Sequence, residues 1–406
     1  MGLADVPVII MLIGIAAYVV LAGADFGSSF WSLTARGELG KDIREHTHRS
    51  MAPVWEANHV WLIFVLVVCW TAYPEVFGSI FSTLWIPLIL ACLGIIMRAT
   101  SYVVGGVADQ RWVVILSATA SFVTPFALGT VIGAIVSGRV PVGNAQGDLI
   151  TSWLNPTSIM IGVLAVTVCA YVAAVYLAGD ARRNDSPGLA EAFRRRGLLA
   201  GVVAGIVAAI GIAVLHADAR EIFDGLTSGG GRIAVLVSAV AGGATIGQLW
   251  SRQYERARFC AAAAVIAVVA GWGFAQSPDI LPGLPVSDAA AADNVIIGLL
   301  VSIAIGMLIL IPSLLLLYGL VLGGRFDPGS DPGELTETRV GPMTELTGPK
   351  RRSVIAVVAW AGVGALLSVA FSSGAPLYIG IAMVLTALVT GCVMLAVTLV
   401  TADTAD

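Results

Sequence analysis

The sequence predicts an all-α polytopic membrane protein with about eleven transmembrane helices. Of its 406 residues, 58% are hydrophobic and only 12% are charged, whereas a soluble domain carries about 25% charged residues. The apolar residues form runs of about 20, the length that a helix needs to cross a hydrocarbon core about 30 Å thick. The basic residues fall almost entirely in alternate loops between these runs.

The apolar runs and the segments between them predict the organisation of the chain. In chain order the predicted spans are residues 7–32, 57–74, 78–104, 112–137, 157–178, 198–216, 232–250, 259–275, 295–322, 353–373 and 376–400. Proline cannot continue a helix cleanly, so Tyr73-Pro74-Glu75 predicts a tight turn between the second and third spans. We therefore expect a main transmembrane domain at 1–323, a cytoplasmic linker at 324–352 and a two-helix membrane extension at 353–406.

The loop charges predict the orientation. If the N-terminus lies outside, 19 of the 22 lysines and arginines fall in inner loops, and only Arg139, Arg220 and Arg232 fall outside. An excess of basic residues marks cytoplasmic loops, so we expect the C-terminus in the cytoplasm. In the outer loops, Asp218 and Glu221 are expected to be solvated.

Ionisable residues from three consecutive spans are expected at one membrane depth. Asp25 lies near the inner end of the first span, Glu56 and His59 begin the second span, and Arg98 lies near the inner end of the third. A charge within a span costs about 2.5–3.5 kcal/mol even on insertion scales, so it persists where it is paired, hydrated or carries protons. Because Glu56 and His59 share a helix face, we interpret Glu56 as a proton-uptake group and His59 as its relay.

Each of these residues also has a plainer explanation that the sequence leaves open. A carboxylate at Glu56 suits a helix N-terminus, where the dipole favours negative charge. Asp25 is equally suited to pair with Arg98 or to contact a ligand, and Arg98 is also suited to reach the lipid headgroups. His59 fits a hydrogen-bonded interfacial histidine, and Trp61 fits the aromatic belt of a membrane protein.

The sequence predicts no metal site in this chain. A single E-x-x-H motif is insufficient for a di-iron site, which needs two copies and further glutamates. The five cysteines occur singly without a C-x-x-C-H motif, so covalently attached c-type haem is not supported.

Several elements, in order, resemble those of subunit II of the cytochrome bd-type quinol oxidases. LAGADFG at 21–27 resembles the family's D-G-F-D-x-G element, and APVWEANHVWL at 52–62 resembles its W-[DE]-x-N-x-V-W element. AYPEVF at 72–77 and MRATSY at 97–102 resemble the turn and the arginine that follow. The resemblance implies a nine-span body of two four-helix bundles and a peripheral helix, to which this chain adds two C-terminal spans.

The resemblance also implies a function. Such a subunit binds no haem itself and pairs with subunit I, which carries b-type and d-type haems. The complex oxidises quinol and reduces dioxygen to water in the bacterial plasma membrane, with lipids, quinone and small single-span accessory subunits as further expected partners. The implied roles are proton uptake at Glu56, an oxygen entry route near Trp61, and a bound quinone or lipid near Asp25. No nucleic acid partner is expected.

One departure from the family pattern affects the quinone expectation. Ala22 stands where the D-G-F-D-x-G element has its first acid, and Ala24 stands where it has its aromatic residue. Any role that needs two acids in this element is therefore in question for this chain.

Two other functional hypotheses stay open at this point. A proton-coupled transporter of a small solute would carry a midplane site built from broken helices, whereas this sequence places its acids at the inner edge. A purely structural assembly subunit would use Glu56 only as a helix cap. Co-purification of a haem-bearing partner separates the oxidase hypothesis from the transporter, and mutation of Glu56 separates it from the structural subunit.

Overall fold

The computed structural model describes residues 2–51, 55–105, 111–143 and 146–322, with isolated helical residues between 356 and 390. The chain divides into two compact units, Met1–Leu300 and Val301–Asp406. The helices are α1 (Asp5–Leu33), α2 (Glu38–Met51), α3 (Trp55–Ala72), α4 (Pro74–Thr83), α5 (Trp85–Gly105), α6 (Arg111–Val136), α7 (Pro156–Arg183), α8 (Pro187–Asp218), α9 (Arg220–Thr227), α10 (Gly229–Trp250), α11 (Tyr254–Gln276), α12 (Val286–Ala289) and α13 (Asp293–Leu322). Two short strands, β1 (Asp279–Leu281) and β2 (Leu284–Pro285), pair antiparallel between α11 and α12.

The first unit is organised around helices α1 and α7. Helix α1 packs against α3, α6, α7 and α11, and α7 packs against α1, α6, α8 and α11. Helices α5 and α6 pair beside α1, and α10 and α11 pair beside α7. The main apolar core lies where α1, α2, α7, α8, α10 and α11 meet, and it contains the fully buried side chains of Leu177, Phe193 and Leu249.

The prediction of an all-α membrane protein is confirmed, but the count of eleven spans is not. In the described part of the chain, eight helices are long and apolar enough to cross a membrane, or nine if the bent pair α3–α4 forms one span. The predicted linker 324–352 lies outside the described residues. So do the predicted spans 353–373 and 376–400, apart from a few helical positions, where the Trp360 indole donates a hydrogen bond to the Thr386 hydroxyl (3.0 Å).

The predicted third span, 78–104, is wrong at its start. A separate helix, α4, follows Pro74 and is bent by 119° from α3, and the membrane-spanning helix α5 begins only at Trp85. Pro74 occupies the first position of α4, where its missing N–H costs nothing. The preceding Tyr73 is fully buried and donates a hydrogen bond to the main-chain oxygen of Ala4 (2.5 Å), which holds the bend against the start of α1.

The segment between the first two predicted spans is a helix that lies against the bundle. Helix α2 contacts α1, α7 and α8 and buries Ile43, His46, Thr47 and Met51 along one face. These positions recur at intervals of three or four residues, which is the pattern of a helix with one face on a core. This polar segment therefore covers the ends of α1 and α7 that carry the charged residues described below.

At the opposite end of the helices, an ion pair joins three elements. Arg139, which follows α6, donates two hydrogen bonds to Asp218 at the end of α8 (2.7 and 3.1 Å). Asp218 also accepts a hydrogen bond from the Thr157 hydroxyl at the start of α7 (2.6 Å). The Asp218 side chain is only 18% exposed, so the expectation of a solvated loop acid is wrong for this residue.

Helix α1 approaches α7 closely at Gly27, two residues beyond Asp25. A methyl group on Gly27 would overlap the main-chain carbonyl of Cys169, which belongs to rigid helix backbone. We expect Gly27→Ala to destabilise the purified protein by about 1–3 kcal/mol or more, because overpacking forces α1 away from α7. The matched control is Gly205→Ala in α8, where the new methyl meets nothing within 4 Å. Thermal unfolding in detergent checks this, and equal melting temperatures for the two variants would contradict it.

Candidate functional site

The site is built on a buried ion pair between α1 and α5. The Arg98 Nη2 atom lies 2.5 Å from Oδ1 of Asp25 and 2.8 Å from the main-chain oxygen of the same residue, and Nε lies 3.3 Å from Oδ2. The side chains of Arg98 and Asp25 are 4% and 0% exposed. The structure therefore brings together two of the residues that the sequence placed at one membrane depth.

Hydroxyl groups complete the shell around this pair. Nη1 of Arg98 donates to the Ser29 hydroxyl and to the Ser117 hydroxyl (2.5 Å to Ser117), and these two serines also bond each other (2.8 Å). Nη2 donates to the Tyr102 hydroxyl (2.7 Å), which in turn donates to Oδ1 of Asp25 (2.6 Å). Both charges are thus satisfied by groups of this chain.

The electrostatic consequence is a neutral unit. Burying a lone charge costs several kcal/mol, but a pair with good geometry and satisfied hydrogen bonds offsets that cost. Because both carboxylate oxygens of Asp25 have partners within the chain, the geometry favours its structural role over contact with a quinone or a lipid. Because the charge of Arg98 is matched at short range, the pair acts on its surroundings as a dipole rather than as a net charge.

An aromatic stack links this pair to α2 and α3. The Tyr102 ring lies under the Arg98 guanidinium (4.5 Å) and stacks on Trp55 at the start of α3, with centroids 5.2 Å apart and planes 11° apart. His48 of α2 also stacks on Tyr102, at 5.6 Å. Burial lowers the pKa of His48 below its ordinary value, and the nearby Arg98 charge lowers it further. His48 therefore favours its neutral form in this position.

The predicted proton-uptake residue lies beside this stack in the chain. Glu56 is the second residue of α3, directly after Trp55, and its side chain lies outside the described part of the structure. Asn58 fixes this end of α3 to α1 by donating to the main-chain oxygen of Leu21 (3.3 Å). The start of α3 is thus attached both to α1 and, through Trp55, to the buried ion pair.

The other two predicted site residues of α3, His59 and Trp61, pack against side chains of α1. Nδ1 of His59 is 3.5 Å from the Tyr18 hydroxyl, and the His59 ring packs edge-on against Phe26 (5.8 Å between centroids). Trp61 is half-buried and packs against the small apolar cluster that contains Tyr18, Phe26 and Cys169. His59 and Trp61 are therefore near the ion pair in the fold without a direct bond to it.

A second, less buried charge cluster was missed by the sequence reasoning. Asp180, near the C-terminal end of α7, lies 3.2 Å from Arg258 of α11, whose guanidinium lies 4.7 Å from the Tyr176 ring centre. The side chains of Asp180 and Arg258 are 22% and 17% exposed. Asp180 lies in the C-terminal part of the apolar helix α7, as Asp25 does in α1. An acid at that position in an apolar run is visible in the sequence, so this cluster could have been predicted.

The other histidine of α2, His46, faces the Asp180–Arg258 cluster. Nε2 of His46 lies 3.3 Å from the main-chain oxygen of Leu177, and His46 is 6% exposed. Burial lowers the pKa of His46, although the carbonyl of Leu177 and the charge of Asp180 act in the opposite direction. Helix α2 therefore places one histidine against each charge cluster.

The sequence reasoning also missed Tyr102. Arg98 and Tyr102 are four residues apart on one helix, a spacing at which side chains meet, so their contact was predictable from the sequence. The involvement of the serines was not, because it depends on how α1 and α6 are rotated. Among the described residues, no group of three or more His, Cys, Asp or Glu side chains is arranged to hold a metal ion.

Comparison with known proteins gives the family context. The family model for cytochrome bd terminal oxidase subunit II matches residues 3–321. The chain is 24% identical over 176 residues to cytochrome bd ubiquinol oxidase subunit 2 of Bacillus subtilis, which covers 41% of this chain and 51% of that protein. It is 27% identical over 142 residues to cytochrome bd-I ubiquinol oxidase subunit 2 of Escherichia coli K12, covering 32% and 36%. These matches span about half or less of the length of the two relatives.

A solved structure shows the same fold. A chain of the bd oxidase from Geobacillus thermodenitrificans superposes with a TM-score of 0.63 at 22% identity, covering 79% of this chain and 99% of that one. The family model, in turn, extends over all of α1 to α12 and nearly all of α13. The chain therefore belongs to the cytochrome bd terminal oxidase subunit II family.

Proposed function

We propose that this chain is the haem-free subunit of a bd-type terminal oxidase that oxidises quinol and reduces dioxygen to water. Its partner is the haem-carrying subunit I, and the complex lies in the bacterial plasma membrane with the N-terminus of this chain outside and its C-terminus in the cytoplasm. The family match supports the assignment to the complex. The haems of the partner supply electron transfer and oxygen chemistry, and this chain supplies a packing surface and a path for protons from the cytoplasm.

The observation that carries the proton path is the position of Glu56 at an anchored helix start. Glu56 follows Trp55, whose ring stacks on Tyr102 in the shell of the Asp25–Arg98 pair. His59 lies one helical turn further along the same helix. This arrangement suits a carboxylate that takes up a proton at the membrane edge and passes it to an imidazole.

The neutral ion pair supports this division of roles. Both carboxylate oxygens of Asp25 are engaged by Arg98 and Tyr102, so Asp25 is better suited to pairing a charge than to carrying protons. We assign proton uptake to Glu56, relay to His59, charge pairing to Asp25 and Arg98, and a position beside an oxygen entry route to Trp61.

The assignment to a complex is tested by affinity purification of this chain from its native membrane in mild detergent. We expect a haem-bearing partner to co-purify, reduced-minus-oxidised spectra to show b-type and d-type bands, and quinol to drive oxygen consumption. Accessory single-span subunits would appear as further small bands. A colourless chain without a partner would overturn the oxidase proposal and favour the transporter.

Replacement of Glu56 tests the proton path. We expect Glu56→Gln and Glu56→Ala to lower quinol-driven oxygen consumption per haem by about tenfold or more while haem content stays normal, because loss of a proton-transfer group typically costs at least this much. Glu56→Asp should keep most of the activity. The control is Glu75→Gln, because Glu75 is also the second residue of a helix, α4. If Glu56 acted only through the helix dipole, both glutamine variants would keep normal turnover.

Replacement of Asp25 tests the structural role of the ion pair. We expect Asp25→Asn to destabilise the complex by about 3–5 kcal/mol, because it leaves the Arg98 guanidinium buried without its partner. The double variant Asp25→Asn, Arg98→Met should recover part of the loss. Thermal unfolding of the purified complex checks both.

The control for this ion pair is an exposed one. Glu45 and Arg49 of α2 form a pair whose side chains are 60% and 71% exposed, and pairs in water contribute little. We expect Glu45→Gln to leave the melting temperature unchanged. A melting temperature of Asp25→Asn equal to that of the wild type would show that the buried pair is not needed for stability.

A further inference from the structure

Among the described residues, the Tyr18 hydroxyl is the only hydrogen-bond contact of the His59 ring. The Tyr18 hydroxyl lies 3.5 Å from Nδ1 of His59, and the hydroxyl has no other hydrogen bond in that part of the chain. The second ring nitrogen of His59, Nε2, is buried and has no partner among the described residues. An imidazole with one free nitrogen and one nitrogen facing a hydroxyl can take up a proton on one side and release it on the other.

The position of Tyr18 gives this contact a direction. Tyr18 precedes Asp25 by seven residues on α1, so it lies about 10 Å further from the inner end of that helix, given a rise of 1.5 Å per residue. Tyr18 is 8% exposed and is surrounded by Ala22, Phe26 and Cys169. A hydroxyl in such apolar surroundings is costly unless it has a partner. Packing alone would be served equally well by phenylalanine.

The described charges nearest to His59 belong to a matched pair. Asp25 and Arg98 are bonded to each other rather than to His59. Among the described residues, the rings packed against His59 are those of Tyr18 and Phe26, neither of which carries a charge at neutral pH. Tyr18 is therefore the described polar side chain that the His59 ring meets on α1.

We propose that Tyr18 is the member of the proton path that follows His59, an assignment that rests on the proposed proton uptake at Glu56. His59 takes up a proton at Nε2 and releases the proton on Nδ1 to the Tyr18 oxygen. The original hydroxyl proton of Tyr18 passes to a water molecule on the far side, so the phenol stays neutral throughout. Return of the imidazole to its starting tautomer completes the cycle, and one proton has moved from the inner edge into the membrane.

The experiment uses the whole oxidase complex and removes only the hydroxyl. We expect Tyr18→Phe to lower quinol-driven oxygen consumption per haem by about three- to tenfold and to increase its solvent deuterium isotope effect, because proton delivery becomes rate-limiting. The control is Tyr171→Phe, which removes the hydroxyl of another buried tyrosine, on α7. We expect this control to match the wild type in both measurements. Turnover is expressed per haem so that reduced assembly does not affect the comparison.

A double-mutant cycle with His59→Gln tests whether the two residues act in one path. If they do, the double variant is no slower than the slower single variant, whereas independent effects multiply. Wild-type turnover and isotope effect in Tyr18→Phe, or equal losses in Tyr18→Phe and Tyr171→Phe, would overturn the role of Tyr18. If Glu56→Gln remained impaired in that case, the proton-uptake proposal would stand. Normal turnover in Glu56→Gln would instead refute proton uptake at Glu56, while the assignment to the oxidase complex would still rest on the co-purification test.

Discussion

The ion pair between Asp25 and Arg98 is the constraint on which the rest of the site depends. A guanidinium buried at a membrane helix end is stable only if every donor has an acceptor, and this requirement fixes the rotation of α1 and α5 and the placement of Ser29, Ser117 and Tyr102. Tyr102 in turn provides the surface on which Trp55 stacks. The start of α3 therefore has its position because a charge two helices away must be neutralised.

A second version of this arrangement occurs between α7 and α11. In both places an acid in the C-terminal part of a central helix pairs with an arginine, and the arginine lies over a tyrosine ring. The two differ in burial, since the side chains of Asp180 and Arg258 are 22% and 17% exposed, whereas those of Asp25 and Arg98 are 0% and 4% exposed. A partly exposed pair tolerates loss of one partner better than a fully buried one. Helix α2 lies across both and presents a histidine to each.

The sequence predicted most of the long apolar helices and the proximity of Asp25 and Arg98, because both follow from local hydrophobicity and from loop charges. It did not predict the break at Leu84 or the docking of α2. An apolar run shows where a helix is stable in lipid, but a bend such as that after Tyr73 depends on a partner 69 residues away. The hydroxyl groups around Arg98 could not be predicted from the sequence either, since Ser29 and Ser117 meet only after α1, α5 and α6 have packed.

The loss of the first acid of the D-G-F-D-x-G element is understandable from the same charge balance. Ala22 is 1% exposed and packs in the apolar cluster of Tyr18, Phe26 and Cys169. A carboxylate there would be buried while the donors of Arg98 are already engaged with Asp25 and its neighbours, so its charge would remain uncompensated. With alanine at this position, the ion pair is neutral and complete by itself. In the proton path that we propose, Glu56 and His59 are then the groups that carry the proton.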